Sequence, residues 1–188
     1  MTICNEKKYH ERKNTGITIR LMELQDLHSV FLLGEKLFTS EFTPNLYRTW
    51  DEQELVSLYL GDEETCLVAA KGKRIIGFAL GTIVYKTHSA WSYGYLVWLG
   101  VERAYQREGL ATRLFNQFRN VMLEEGVRML LVDTQADNEP ALKFFRKVGF
   151  GNPEEHVYMT LNLTEKQKQR KVKAKLSHKA KSYIKHNV

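Results

Sequence analysis

Residues 1–15 are polar and aperiodic, but from there Ile17, Ile19 and Leu21 alternate with polar neighbours, as a half-buried strand does. Leu24, Leu27, Val30, Phe31 and Phe38 then recur at helical spacing and predict an amphipathic helix. Thr49 and Glu52 stand in the S/T-x-x-E relation of a capping box ahead of Leu55, Val56 and Leu58, so a second helix is expected to start at Thr49. Two β-rich runs, residues 65–70 and 74–85, flank Lys71, Gly72 and Lys73 and read as a hairpin. Tyr93–Val101 is aromatic and β-branched enough for a buried strand. Ala111, Leu114, Phe115, Phe118, Val121 and Met122 follow at steps of three and four, predicting a long helix that Gly126 stops. Residues 129–134 predict a short strand. Asn138 ahead of Pro140 opens a helix carrying Leu142, Phe145 and Val148, Gly149 closes it, and residues 156–163 supply a last strand.

The order β-α-α-β-β-β-α-β-α-β predicts an α/β (α+β) domain, a mixed and twisted sheet with helices on both faces. We place a loose arm at residues 1–15, the domain at 16–163 and a tail at 164–188. With 188 residues, 43% hydrophobic and 27% charged, the chain holds enough apolar material for one cored domain. The net charge of +6 is unevenly placed: residues 164–188 carry nine Lys or Arg against Glu165, which puts +8 on the tail and leaves the body near neutral. That tail suits either a solvated helix or a disordered segment, and it keeps weak, salt-sensitive RNA or ribosome contact open as a function. Cys4 and Cys66 lack disulfide or metal-ligand spacing, so no metal is expected. No apolar run approaches the ~20 residues that span a bilayer, and the first residues lack the apolar middle of a secretion signal. The expectation is a cytoplasmic protein without a membrane partner.

The most informative stretch is the turn Gln106, Arg107, Glu108, Gly109, Leu110, Ala111 and Thr112, between the strand ending at Val101 and the long helix. A strand that feeds a turn and a helix leaves backbone N–H groups pointing outward, a ready site for phosphate oxygens. Gly109 and Ala111 lack bulk that would hold a pyrophosphate away from the backbone. The turn has neither the G-K-[ST] ending of a nucleotide-triphosphate loop nor the three glycines of a dinucleotide fingerprint. An ordinary strand-to-helix loop has the same composition, so the turn by itself leaves both readings open.

Gln106 to Ala111 resembles the Q/R-x-x-G-x-G/A pyrophosphate loop of the GCN5-related N-acetyltransferases (GNAT). A second signature follows in order: Asn138, Glu139, Pro140 and Ala141, then Phe144, Phe145, Arg146, Lys147, Val148, Gly149 and Phe150, similar to the family's N-x-x-A-x-x-x-Y-x-x-x-G-F segment. The resemblance covers residues 17–163, is strongest from 93 to 150, and is closest to the protein N-terminal (ribosomal-protein-alanine-like) acetyltransferase branch. It implies the GNAT sheet, acetyl-CoA as co-substrate and a primary amine, such as a peptide N-terminus, as acceptor. By position it implies that the backbone of Leu99, Gly100 and Val101 binds the pantetheine arm and that residues 106–112 bind the pyrophosphate. Asn138 would touch the cofactor or cap its helix.

Amide formation needs a neutral amine, a polarised thioester and an acid for the leaving thiolate. Many family members carry that acid as Tyr where this chain has Phe145, which has no proton to give. The resemblance implies a base pair at Tyr95 and Asp133, where the N-terminal branch pairs a Tyr with a His through water. Glu35, Glu41, Tyr47 and Trp50 fall in or beside the first two helices, where family members line the acceptor channel. They equally read as surface acids and core aromatics. No Cys stands where an acyl group would be held, so direct transfer in a ternary complex is expected. The rivals are a nucleic-acid- or ribosome-associated acyl-CoA-binding module acting through its tail, and an acyl-CoA binder without turnover.

Overall fold

The computed structural model describes residues 16–39, 49–85, 92–157 and 159. The chain divides into two compact units, residues 1–152 and 153–188. In the first unit, β1 (Ile17–Leu21), β2 (Cys66–Lys71), β3 (Arg74–Val84), β4 (Tyr93–Val101) and β5 (Met129–Val132) form one sheet in the order β1-β2-β3-β4-β5. The first four strands pair antiparallel, and β5 joins β4 in parallel. Among the described residues four α-helices accompany them: α1 (Leu27–Leu37), α2 (Glu52–Gly61), α3 (Leu110–Glu124) and α4 (Glu139–Val148). This is the mixed sheet and helix order expected from the periodicity, up to the last strand. In the second unit the described residues, 153–157 and 159, form neither helix nor strand. Val157 and Met159 are exposed there, so the strand expected over residues 156–163 does not form at its described residues, 156, 157 and 159. Residues 158 and 160–163, the arm 1–15, the tail 164–188 and Cys4 lie outside the described residues.

Each sheet face has its own core. Leu67, Ile76, Ala79, Ile83 and Leu96 pack against Leu114, Phe115, Phe118 and Met122 of α3. On the other face, Val68, Phe78, Leu80 and Trp98 pack against Val30 and Leu33 of α1, Leu55 of α2, and Trp50. Cys66 is buried in this second cluster, where desolvation pushes its thiol up to about 12. Such a thiol is packing material, not a nucleophile.

Two expectations about the first helices need correction. α2 is capped by Asp51 and not by Thr49: the Asp51 carboxylate accepts from the Glu54 N–H at 2.8 Å. Asp outranks Thr as an N-cap, and the shift leaves Glu52 and Glu54 in the first turn, where the helix dipole favours acids. Leu24 belongs to a short 3-10 turn, Leu24–Asp26, that precedes α1, and it is exposed.

That turn is held by Asp26, which is buried. Its carboxylate accepts from both guanidinium nitrogens of Arg20, at 2.5 and 2.9 Å, and from the Glu23 N–H at 2.9 Å. The hydrogen bonds from Arg20 hold this carboxyl below the ordinary range, against the opposing effect of burial. A depressed folded-state pKa contributes stability that is present above the unfolded value near 3.9 and is lost as pH falls through the folded value. Asp26→Asn should therefore cost about 2 kcal/mol at pH 7. In urea titrations the gap between natural chain and variant should narrow below about pH 4, and a gap constant with pH would contradict this account.

Candidate active site

The site is built where β4 stops being covered. β5 pairs with β4 only over Tyr93, Gly94, Tyr95 and Leu96, opposite Met129, Leu130, Leu131 and Val132. Beyond Leu96, β4 runs on to Val101 with no strand on that side among the described residues. The pairing with β3 also changes step here, since Leu80 faces Trp98 while Gly81 faces Leu96, leaving Val97 as an extra residue in a bulge.

The bulge reverses which side chains point to which face. Before it, Gly94 lies against Leu130, Met122 and Val127, and Leu96 is in the α3 core, so Tyr93 and Tyr95 face the α1–α2 side. After it, Trp98 is in the α1–α2 core and Gly100 abuts Phe78 and Leu37. Backbone groups alternate as well. The Glu102 N–H donates to the Ile76 carbonyl on β3 at 2.8 Å, and Phe78 lies opposite Gly100 in the same ladder. By alternation the N–H and C=O of Leu99 and Val101 face the open edge, while those of Gly100 face β3. Of the three backbones expected to meet the pantetheine arm, Gly100 is therefore turned away. Its place is fixed by packing, because a Cβ there would meet Phe78 and Leu37 at about 3 Å.

The turn after β4 lies beside that edge. Gln106 Nε2 donates to the Val101 carbonyl at 2.9 Å, so this side chain ties the turn to the strand. Arg107 and Gly109 are both left-handed, with φ of 64° and 81°. The first intrahelical bond runs from the Arg113 N–H to the Gly109 carbonyl at 3.0 Å, so the N–H groups of Leu110, Ala111 and Thr112 lie ahead of the helix's own ladder. Leu110 is buried, which anchors the helix start in the α3 core, and space around Gly109 is open. A row of outward N–H groups at a helix N-terminus, with Arg103 and Arg107 nearby, is suited to phosphate oxygens. The exposed N–H and C=O groups of Leu99 are suited to pantetheine amides. The residues present thus fit acetyl-CoA.

Asn138 caps α4: its Oδ1 accepts from the Ala141 N–H at 3.3 Å, and its Nδ2 donates to Thr134 Oγ1 at 3.1 Å. At the other end, the Gly149 N–H reaches the Arg146 carbonyl and the Phe150 N–H reaches the Phe145 carbonyl, with Gly149 left-handed at φ 109°. This Schellman ending brings Phe150 onto Phe145, ring centroids 5.6 Å apart, and onto Phe115 at 5.5 Å. The G-F pair of the second signature is thus a helix stop and the packing contact that accompanies it. Phe145, half-buried in this aromatic cluster, has no hydroxyl to offer.

Tyr95 and Asp133 meet. The Tyr95 hydroxyl donates to Asp133 Oδ1 across 38 residues of chain, with Asp133 one step beyond β5. The acceptor-side candidates fare differently. Glu35 is exposed on α1 and makes no bond to this pair. Glu41 and Tyr47 lie outside the described residues. Trp50 is not a channel wall: it is buried, its Nε1 donates to the Phe31 carbonyl at 3.1 Å, and its ring stacks on Phe78 at 5.3 Å. It fills the space a Cβ on Gly34 would occupy, within 2.1 Å, so Trp50 wedges α1 onto the sheet. Among the described residues no group of three or more His, Cys, Asp or Glu is placed to hold a metal ion. No helix among them is long and apolar enough to cross a membrane.

Known proteins resemble this chain in sequence and in fold. A model of the Acetyltransferase (GNAT) family matches residues 30–150, more than half the chain. N-alpha-acetyltransferase 30 of Schizosaccharomyces pombe is 33% identical over 57 residues, a match that spans 30% of this chain and 38% of that protein. An aminoglycoside acetyltransferase, meta-AAC0020, from an uncultured soil metagenomic sample superposes with a TM-score of 0.63 at 21% identity, covering 80% of this chain and 98% of that one. The NatC complex bound to Gag peptide and CoA superposes with a TM-score of 0.63 at 18% identity, covering 73% and 86%. With the turn at residues 106–112, the open β4 edge and the capped α4 in the matched span, the chain belongs to the acetyltransferase (GNAT) family, N-acetyltransferases that draw their acetyl group from acetyl-CoA.

Proposed function

We propose that the protein acetylates the α-amine of a peptide or protein N-terminus in the cytoplasm, by direct attack in a ternary complex, with Tyr95 and Asp133 handling the proton. The observation that carries the reading is the Tyr95–Asp133 hydrogen bond beside the open β4 edge. Acetyl-CoA supplies the electrophilic thioester, and the chain's residues position it and manage charge. Leu99, Val101 and residues 106–112 hold the pantetheine and phosphates. Asp133 draws in the protonated amine, which releases its first proton to bulk water before it attacks. Because the Tyr95 hydroxyl donates to Asp133, its oxygen keeps lone pairs for an amine proton, directly or through one water. As the N–C bond forms, that proton passes to Tyr95 and the phenolic proton moves to Asp133. The C–S bond breaks and the thiolate departs without help from Phe145. Cys66, buried with its thiol pushed up to about 12, is no candidate for an acyl-enzyme.

The α-amine is favoured by the likeness to N-alpha-acetyltransferase 30 and to a NatC complex that holds a peptide. Since aminoglycoside enzymes share the fold, the test must separate the two. Thiol release from acetyl-CoA should appear with peptides that have a free N-terminus and vanish when that amine is formylated, even if a lysine is present. Transfer to lysine or to an aminoglycoside alone would overturn the reading.

A further inference from the structure

Among the described residues, the α1–α2 side of the sheet is only partly roofed. Trp98, Phe78 and Leu80 are buried under the helices, but the neighbouring stretch on the same face is open. Val84 on β3, Tyr93 on β4 and Met129 on β5 lie in one cross-strand row, and Tyr95 and Leu131 pair in the next. Val84 is 36% exposed, and Met129 and Leu131 are 45% exposed each. Leu130, between the last two, turns to the α3 side, which fixes Met129 and Leu131 on the face of Tyr93 and Tyr95. Large apolar side chains left in contact with water and adjacent in register mark a binding surface more often than chance.

Its position names the occupant. One end of the strip is the Tyr95–Asp133 pair, so whatever lies on it presents its amine there. The strip itself is apolar and aromatic. An amine whose own carbon skeleton is apolar fits this combination, whereas a polyol with several cationic groups would find, among the described residues of the strip, Asp133 as its one acid. Two rows of side chains on one face are about 7 Å apart along a strand, close to the 6.6–7.2 Å between alternate residues of an extended peptide.

Building on the N-terminal reading above, we propose that Leu131, Met129 and Tyr93 form the acceptor floor and that the enzyme prefers peptides whose first residue is apolar. The α-amine meets Tyr95 and Asp133, the first side chain covers Leu131, and the following backbone crosses toward Met129 and Tyr93.

The test uses the full chain, acetyl-CoA and a peptide series identical except for Leu, Met, Phe, Ser, Asp or Lys at the first position. The three apolar peptides should show kcat/KM at least about tenfold above the others, chiefly through KM, as one good apolar contact confers. In the Leu131→Gln, Met129→Gln double variant, the Leu-to-Ser ratio should fall to about threefold or less. Both positions are exposed, and a melting curve confirms that the variant folds. Equal rates across the series, or a ratio unchanged in a folded double variant, would overturn the apolar floor while leaving N-terminal acetylation in place. Failure of every peptide α-amine, with transfer to an aminoglycoside instead, would overturn the function reading and this proposal together.

Discussion

Tyr95→Phe and Asp133→Asn are each expected to lower turnover by about 10²–10⁴-fold, the span that loss of a positioned acid or base produces. The geometry gives the two substitutions different meanings. Phe at position 95 removes the oxygen that receives the amine proton, whereas Asn at 133 keeps a hydrogen-bond acceptor for the Tyr95 hydroxyl but cannot take up its proton. Neither side chain contributes to the β4 edge or the turn at residues 106–112, so acetyl-CoA affinity by calorimetry should stay within about twofold of the natural chain. Residues that act as one unit do not contribute additively, and the double variant should lose far less than the product of the two single losses. Phe145→Tyr is the companion: added to the natural chain it raises turnover if protonation of the thiolate limits the rate, and it leaves turnover unchanged if the thiolate departs freely. Full activity of Asp133→Asn across the pH profile would remove Asp133 from the proton path and leave Tyr95 to act with another group.

Much of this site was legible in the sequence because local chemistry dictates it. Gly109 before the α3 pattern and Asn138 with Gly149 around α4 are stop and start signals with direct backbone causes, and each lies where it was expected. Tyr93–Val101 was recovered as β4 to the residue, since aromatic and branched side chains leave a buried strand little alternative. What the sequence hid depends on partners far along the chain. The Val97 bulge arises from the register against β3, and a register slip leaves no signature in one strand's own residues. It decides that the Tyr95 side chain faces the α1–α2 side while the backbone groups of Leu99 and Val101 face the open edge of β4. For Trp50 the sequence leaves an acceptor wall and core packing both open, and the structure places it in the core because Gly34 makes the cleft in α1 that receives it. The exposed row on β5 was equally hidden, because Met129 and Leu131 read as ordinary strand residues until the extent of the helical roof is known.

Gly109→Val should weaken acetyl-CoA binding by about 100-fold, and the reason lies in the backbone. Gly109 sits at φ 81° just ahead of α3, a conformation that costs an ordinary L-residue about 1–2 kcal/mol and is worse for a β-branched one. Without ligand the variant turn relaxes to negative φ and swings the outward N–H groups of residues 107–112 away from their common direction. Binding must then restore most of the strained turn, and where restoration is incomplete it also forgoes part of a charge-assisted bond of about 1.5–3 kcal/mol; the two losses together reach about 2.7 kcal/mol, a 100-fold change. The fold should survive, since nothing lies within 4 Å of a Cβ at this position and Leu110 still anchors the helix start. Gly109→Asn separates conformation from bulk, because Asn tolerates the left-handed region while carrying a side chain of similar size. If conformation governs the site, Asn keeps acetyl-CoA affinity within about tenfold of the natural chain. If both variants lose affinity equally, the phosphates approach the Cα itself, and the glycine is needed for the space it leaves. If Val binds acetyl-CoA as tightly as glycine does, the turn at residues 106–112 is not the phosphate site.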